Sequence, residues 1–373
     1  MPTLRGLTWK HDRGLAPLVA TAAEFAATHP GVTINWEARS LHEFGDVSVA
    51  SIADQYDFIV IDHPFMGDVA RDRYLLPLDQ HLDLKTLAAE SAGASHQSYF
   101  YAGHQWALAN DAASQVSGYR PDLIGAAPTS WPEVLELAKT RPGFVTPALL
   151  PLDSMMCFFT LCANAGRPCC ETPGGVMVDR AAGESALEVL QSLASHAASD
   201  ALSSNPIAIW ERMSASDEIA CCPLAFGYSN YARDGYRQRR LAFANIPGVK
   251  GATLGGAGIS VTRRCADVPT AVEYAAWIAG AECQRTTYVR SGGQPGNRCA
   301  WLDDAANELT HSYFRAILPT IEAAYVRPRF AGFVDFQTAA GHAVHALLRG
   351  EQPARATLDK LDELWATASA CCR

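Results

Sequence analysis

The run Asp57-Phe-Ile-Val-Ile-Asp62 decides the fold. An unbroken apolar stretch between two aspartates, with no polar alternation, describes a strand buried on both faces, as in a parallel sheet covered by helices on each side. Working outward, Leu4-Arg-Gly-Leu-Thr-Trp9 alternates and is rich in β-forming residues. Residues 17–28 place Leu18, Ala22, Phe25 and Ala26 on one helical face. His29-Pro30-Gly31 is a turn, and Val32-Thr-Ile-Asn-Trp36 alternates again. The first third therefore reads β-α-β-α-β, which implies an α/β sheet with right-handed crossovers.

Further along, Ser130-Trp-Pro-Glu133 is a capping box with proline in the first turn, opening a helix through residue 139. Residues 184–198 carry the stripe Leu187, Leu190, Ala194 and Ala197. Strands are expected at 219–226 and 241–246, and a glycine-rich segment at 251–262 runs into a third. Residues 269–280 and 282–290 read as helical, and 333–370 as two helices split at 350–353.

The chain has 373 residues, of which 49% are hydrophobic and 18% charged, and a mean hydropathy of −0.02. Those values exclude an intrinsically disordered chain. The length exceeds the ~250–300 residues at which one core stops growing, so two domains are expected. No repeat or low-complexity linker separates them, so crossing strands must make the division and each lobe must take more than one stretch. The net charge of −9 repels phosphate backbones, which excludes nucleic acid as a partner. No apolar run approaches the ~20 residues that span a bilayer, and residues 1–10 read as a strand, not a secretory signal.

Eleven cysteines are present, with vicinal pairs at Cys169–Cys170, Cys221–Cys222 and Cys371–Cys372. No CxxC occurs, and Cys157 to Cys162 has the wrong spacing for a zinc knuckle. They read as small buried hydrophobes, and their number tilts toward a reducing compartment. His342 and His345 lie on one predicted helix without an acidic partner, so they read as a structural or surface pair. No P-loop, GxSxG or HExxH motif occurs, and neither a metal nor a cofactor is expected. The glycines Gly251, Gly255, Gly256 and Gly258 precede a strand, not a helix; they suit close backbone approach at a domain crossing or a ligand.

Four segments combine polar and aromatic residues at strand ends, where α/β sheets place ligands. They are Trp9-Lys-His-Asp-Arg13, Asp62-His-Pro-Phe65, Phe226-Gly-Tyr-Ser-Asn-Tyr231 and Phe330-Ala-Gly-Phe-Val-Asp335. Ring faces stack on apolar sugar faces, and fixed carboxylate, amide and guanidinium groups satisfy hydroxyls that lose water. No nucleophile stands beside an orienting base, so binding without catalysis is the expectation.

The order of these segments resembles the extracellular solute-binding proteins of ABC importers, the sugar-type family 1 that includes maltose-binding proteins. The resemblance rests on His29-Pro-Gly-Val-Thr-Ile34, Asp57–Asp62, Leu75-Leu-Pro-Leu-Asp79, Pro128-Thr-Ser-Trp-Pro-Glu-Val134 and Gly255-Gly-Ala-Gly-Ile-Ser260. It implies a periplasmic-binding-protein-like type II fold, two α/β lobes with a ligand cleft between them. Lobe 1 would take residues 1–110 and 257–324, and lobe 2 residues 111–256 and 325–373. It further implies capture of a small polar solute, sugar or sugar-derived and open to a partly anionic one, by a monomer that closes its lobes. An ABC permease would be the partner of an exported chain, in the periplasm or outside the cell. The ligand-binding candidates are Trp9, His11, Arg13, Asp62, His63, Phe65, Trp210, Tyr228, Asn230, Tyr231, Gly256, Phe333 and Asp335. The alternative is an intracellular, cytoplasmic enzyme or sensor on the same fold, with His11, Asp62 and His63 in acid–base or anion-binding roles.

Overall fold

The computed structural model describes residues 3–40 and 49–370; the pair Cys371–Cys372 lies outside them. Strand β1 (Thr3–Trp9) is flanked by β2 (Thr33–Arg39) and β3 (Phe58–Ile61), all parallel. Helix α1 (Asp12–Thr28) crosses between β1 and β2. It starts earlier than its apolar stripe suggests because His11 Nδ1 accepts the backbone N–H of Arg13 as an N-cap. Every residue of β3 is buried. Phe58 and Val60 pack with Leu18, Phe25 and Tyr274 on one side, Ile59 and Ile61 with Phe65 and Met66 on the other, as a strand covered on both faces requires.

The sheet continues through β4 (Leu108–Tyr119), β5 (Cys221–Phe226), β6 (Ala242–Ala244) and β7 (Leu254–Val261). The order is β2-β1-β3-β7-β4-β5, with β6 also paired to β4, and every pairing beyond β3 is antiparallel. The strand β4 departs from the sequence expectation, which left 108–119 unassigned. All but its last residue are buried, yet it carries Asn110, Asp111, Ser114, Gln115 and Ser117, so no hydrophobic run marks it. Part of this polarity is met internally: Asn110 Nδ2 donates to Tyr288 Oη at 3.1 Å, and the Ala112 backbone carbonyl accepts from Gln294 Nε2 at 2.8 Å.

The helices include α2 (Trp131–Thr140), α3 (Pro151–Asn164), α4 (Arg180–His196), α5 (Pro206–Ala215), α6 (Val268–Ala279), α7 (Phe333–Leu348) and α8 (Ala354–Ser369). At the start of α2, Ser130 Oγ accepts from Glu133 N, but the Glu133 carboxylate accepts from Thr129 N, one residue earlier than a capping box would have it. Residues 282–290 form a short helical turn and a π-helical stretch rather than one helix. Helix α3 is almost wholly buried and shares one core with α4, α7 and α8. Of nine described cysteines, all free thiols, only Cys299 is exposed; the others fill core volume.

At the centre of the sheet β4 is irregular between Ala109 and Asp111, and Gly256 of β7 lies opposite Ala112. Gly256 adopts φ +107°, and a Cβ there would meet the Asp111 carbonyl oxygen at 2.5 Å. Gly256→Ala is therefore expected to destabilise the protein by about 1–3 kcal/mol from backbone strain alone, read as a lower urea midpoint with unchanged m-value.

Candidate functional site

A cavity of about 380 Å³ opens where β1 runs into α1, where β5 ends and where α3 and α5 begin, with the β7 backbone behind it. Two buried ion pairs form its floor. Arg13, in the first turn of α1, donates through Nε to Asp111 Oδ2 at 2.8 Å and through Nη2 to Asp111 Oδ1. Its Nη1 donates to the Gly227 carbonyl at 2.9 Å, and the ring centre of Tyr228 lies 4.6 Å from the guanidinium carbon. Arg327 donates to Asp62 Oδ2 at 2.9 Å and to Gln337 Oε1 at 2.8 Å.

These contacts fix the charges. Burial works against the Asp62 carboxylate, but Arg327 and then His63 outweigh it and hold Asp62 far below the usual carboxylate range. Burial likewise opposes the Arg13 charge; the Asp111 carboxylate overcomes it and keeps the guanidinium pKa above its ordinary value. Burial raises the Asp111 pKa in spite of Arg13, so that pair is held by its two hydrogen bonds, and the floor presents two paired groups rather than a loose charge.

The walls are largely apolar. Trp9, Phe226 and Tyr228 supply ring surface, while Leu150, Pro151, Leu152, Met156 and Pro206 line the side made by α3 and α5. Gly255 and Gly256 allow the β7 backbone to approach; a Cβ on Gly255 would strike the Phe226 ring at 2.6 Å. Asp153 and Asn205 from the helix starts, with Thr338 and His342 from α7, complete the lining. Among the described residues, no group of three or more His, Cys, Asp or Glu could hold a metal ion. None of their helices is long and apolar enough to cross a membrane.

Of the residues expected from sequence, Trp9, Arg13, Asp62, Tyr228 and Gly256 line this cavity. The others stand outside it for identifiable reasons. His11 is spent capping α1, its ring edge-on to Tyr228 at 4.7 Å. His63 is fully buried behind Asp62, so the proposed acid–base trio does not converge on the cavity. Phe65 and Phe333 turn into the cores on either side. Trp210 packs beneath the sheet and donates from Nε1 to the Phe226 carbonyl at 3.0 Å. Tyr231 is buried and donates to Glu211 at 2.7 Å, Asn230 is buried beside it, and Asp335 faces solvent in the first turn of α7.

Sequence reasoning missed Asp111, Arg327 and the two helix starts. Leu150-Pro151-Leu152-Asp153 and Asn205-Pro206 do carry a signal, a proline at the first helical position with an acidic first turn or an asparagine cap. For Arg327, in the irregular segment after residue 325, no local pattern exists.

Two outcomes follow from the floor. Asp62→Ala leaves a buried guanidinium without its carboxylate and is expected to cost about 3–5 kcal/mol of stability. His63 is lowered from 6.5 to about 4 by burial and by Arg327. The unfolded chain then takes up a proton between those values that the fold refuses. Stability should thus fall as pH drops from 6.5 toward 4, by about 3 kcal/mol at most from this group. The Asp62 contribution is lost only below its unfolded value of 3.8, a separate window. Urea unfolding at several pH values should show a smaller loss across the upper window in His63→Gln.

No protein-family model matches the chain, and no curated protein matches it in sequence. Solved structures do match it over almost its full length. The GacH receptor of Streptomyces glaucescens, solved unliganded and with acarbose, superposes with a TM-score of 0.80 at 17% identity, covering 98% of each chain. An ABC transporter solute-binding protein from Thermotoga lettingae, bound to α-D-tagatose, gives 0.83 at 15% identity over 99% of this chain and 100% of that one. Another from Agrobacterium radiobacter, in complex with ribitol, gives 0.76 at 20% identity over 99% and 98%. These likenesses establish the fold: two α/β lobes with a cleft between them, the periplasmic-binding-protein-like type II architecture.

Proposed function

We propose that this chain is the solute-binding protein of an ABC importer and captures a small, polar, carbohydrate-like solute in the cleft between its lobes. The observation that carries the reading is the cavity itself, walled by aromatic rings and floored by two oriented Arg–Asp pairs. Such a floor presents carboxylate and guanidinium edges to hydroxyls without carrying a net charge. The structural neighbours that bind acarbose, tagatose and ribitol support the same class of ligand.

On this reading the lobes take residues 1–110 with 257–324 and 111–256 with 325–373, and β4 and β7 run between them. A ligand touching both sides favours the closed arrangement by the difference in its contacts to the two states. The protein works without chemistry, outside the cytoplasm, delivering its solute to a permease. The enzyme alternative loses support because neither His11 nor His63 lines the cavity.

Thermal unfolding against a panel of sugars, polyols and organic acids tests the proposal. A sugar or polyol should raise the midpoint in a concentration-dependent way, whereas a response confined to organic acids would exclude the carbohydrate class. Tyr228→Ala, which removes a ring from the wall, should weaken that ligand about tenfold, the upper range for an aromatic contact, as measured by calorimetric titration.

A further inference from the structure

We infer that the cleft selects a sugar or polyol bearing an apolar substituent, a deoxy, O-alkyl or aryl group, over the fully hydroxylated parent; this rests on the carbohydrate reading above. The reason is the uneven distribution of hydrogen-bonding groups around the cavity. The ring faces of Trp9, Phe226 and Tyr228 suit the C–H face of any sugar. The side made by the helix starts differs. Leu150, Pro151 and Leu152 enter the first turn of α3, Met156 follows one turn on, and Pro206 opens α5.

That lip is built to stay apolar. Leu150, Pro151 and Leu152 are only half-buried, so their aliphatic surface is left facing the cavity they line. The two helix starts are tied together by Leu149 N and Leu150 N, which donate to the Ser204 carbonyl at 3.2 and 3.3 Å. Those N–H groups are thus already used, and Pro151 and Pro206 have none to offer. Polar side chains border the lip, Asp153 and Asn205 at its flanks and Thr338 and His342 on α7, but none belongs to it. A hydroxyl pressed against the aliphatic side chains of Leu150, Pro151 and Leu152 loses its water and receives no partner from them. A methyl, alkyl or aryl group in the same place gains contact and leaves nothing unpaired. The volume of about 380 Å³ falls near the lower end of the ~300–1,000 Å³ typical of small-molecule pockets, which suits one substituted ring and not an extended oligosaccharide.

Calorimetric titration of the purified protein with matched pairs tests this: D-galactose against D-fucose, L-mannose against L-rhamnose, and D-glucose against phenyl β-D-glucopyranoside. In at least one pair the apolar member should bind tighter by about tenfold or more, the discrimination one methylene-sized difference can supply. Leu152→Asn, with Leu150→Asn as a second variant, should shrink that gap while the thermal midpoint stays near wild type. Parents binding as tightly as their partners, or a gap unchanged in both variants, would overturn the inference and leave the carbohydrate reading standing. No binding by any member of any pair would overturn the inference, and a panel of sugars and polyols that also gives no thermal shift would overturn the carbohydrate reading with it.

Discussion

The Arg13 guanidinium joins parts of the chain that lie far apart in sequence. It sits in the first turn of α1, pairs with Asp111 98 residues away, and reaches the Gly227 carbonyl 214 residues away. Asp111 belongs to β4, the strand around which the rest of the sheet is assembled, and Gly227 follows β5. A buried cation without these acceptors would be untenable. The position of α1, the irregularity in β4 and the end of β5 are therefore set by one another. Tyr228 covers the outer face of the same group, so the residue that fixes the architecture also forms part of the cavity surface.

The first third of the chain was legible because its hydrophobic pattern and its geometry agree. Four apolar residues in β3 can be satisfied only by burial on both sides, and the structure does this. The strand β4 was illegible for the opposite reason. A strand at the centre of the molecule, surrounded by other backbone and by Gln284, Gln294 and Tyr288, can bury the Asn110 amide nitrogen and the carbonyls of its irregular stretch because partners wait for them. Its composition then looks like that of a loop. With β4 unseen, Asp111 had no place in a sequence-based site, although its partner Arg13 did.

The same physics separates the candidate residues that line the cavity from those that do not. At the end of a strand, a polar residue with a charged partner in the cavity floor stays at the cavity, as Arg13 and Asp62 do. An aromatic residue without such a partner is free to follow the hydrophobic driving force inward. Phe65 and Phe333 both do so, and Trp210 and Tyr231 bury their rings while their polar atoms find neighbouring acceptors. Proximity in sequence to a strand end identifies the neighbourhood of a ligand, and the packing demand of each side chain decides whether it arrives there.

The sheet order has a further consequence for how the polypeptide comes into being. In β2-β1-β3-β7-β4-β5, the strand that covers the edge of β3 is β7, contributed by residues 254–261. A growing chain emerging from the ribosome cannot close its first half until two thirds of the whole has been made. Until then β3 presents a bare, wholly apolar edge. Such distant pairing raises contact order and slows collapse to the final state. Until residues 254–261 arrive, the first half of the sheet therefore stays unlocked along its β3 edge.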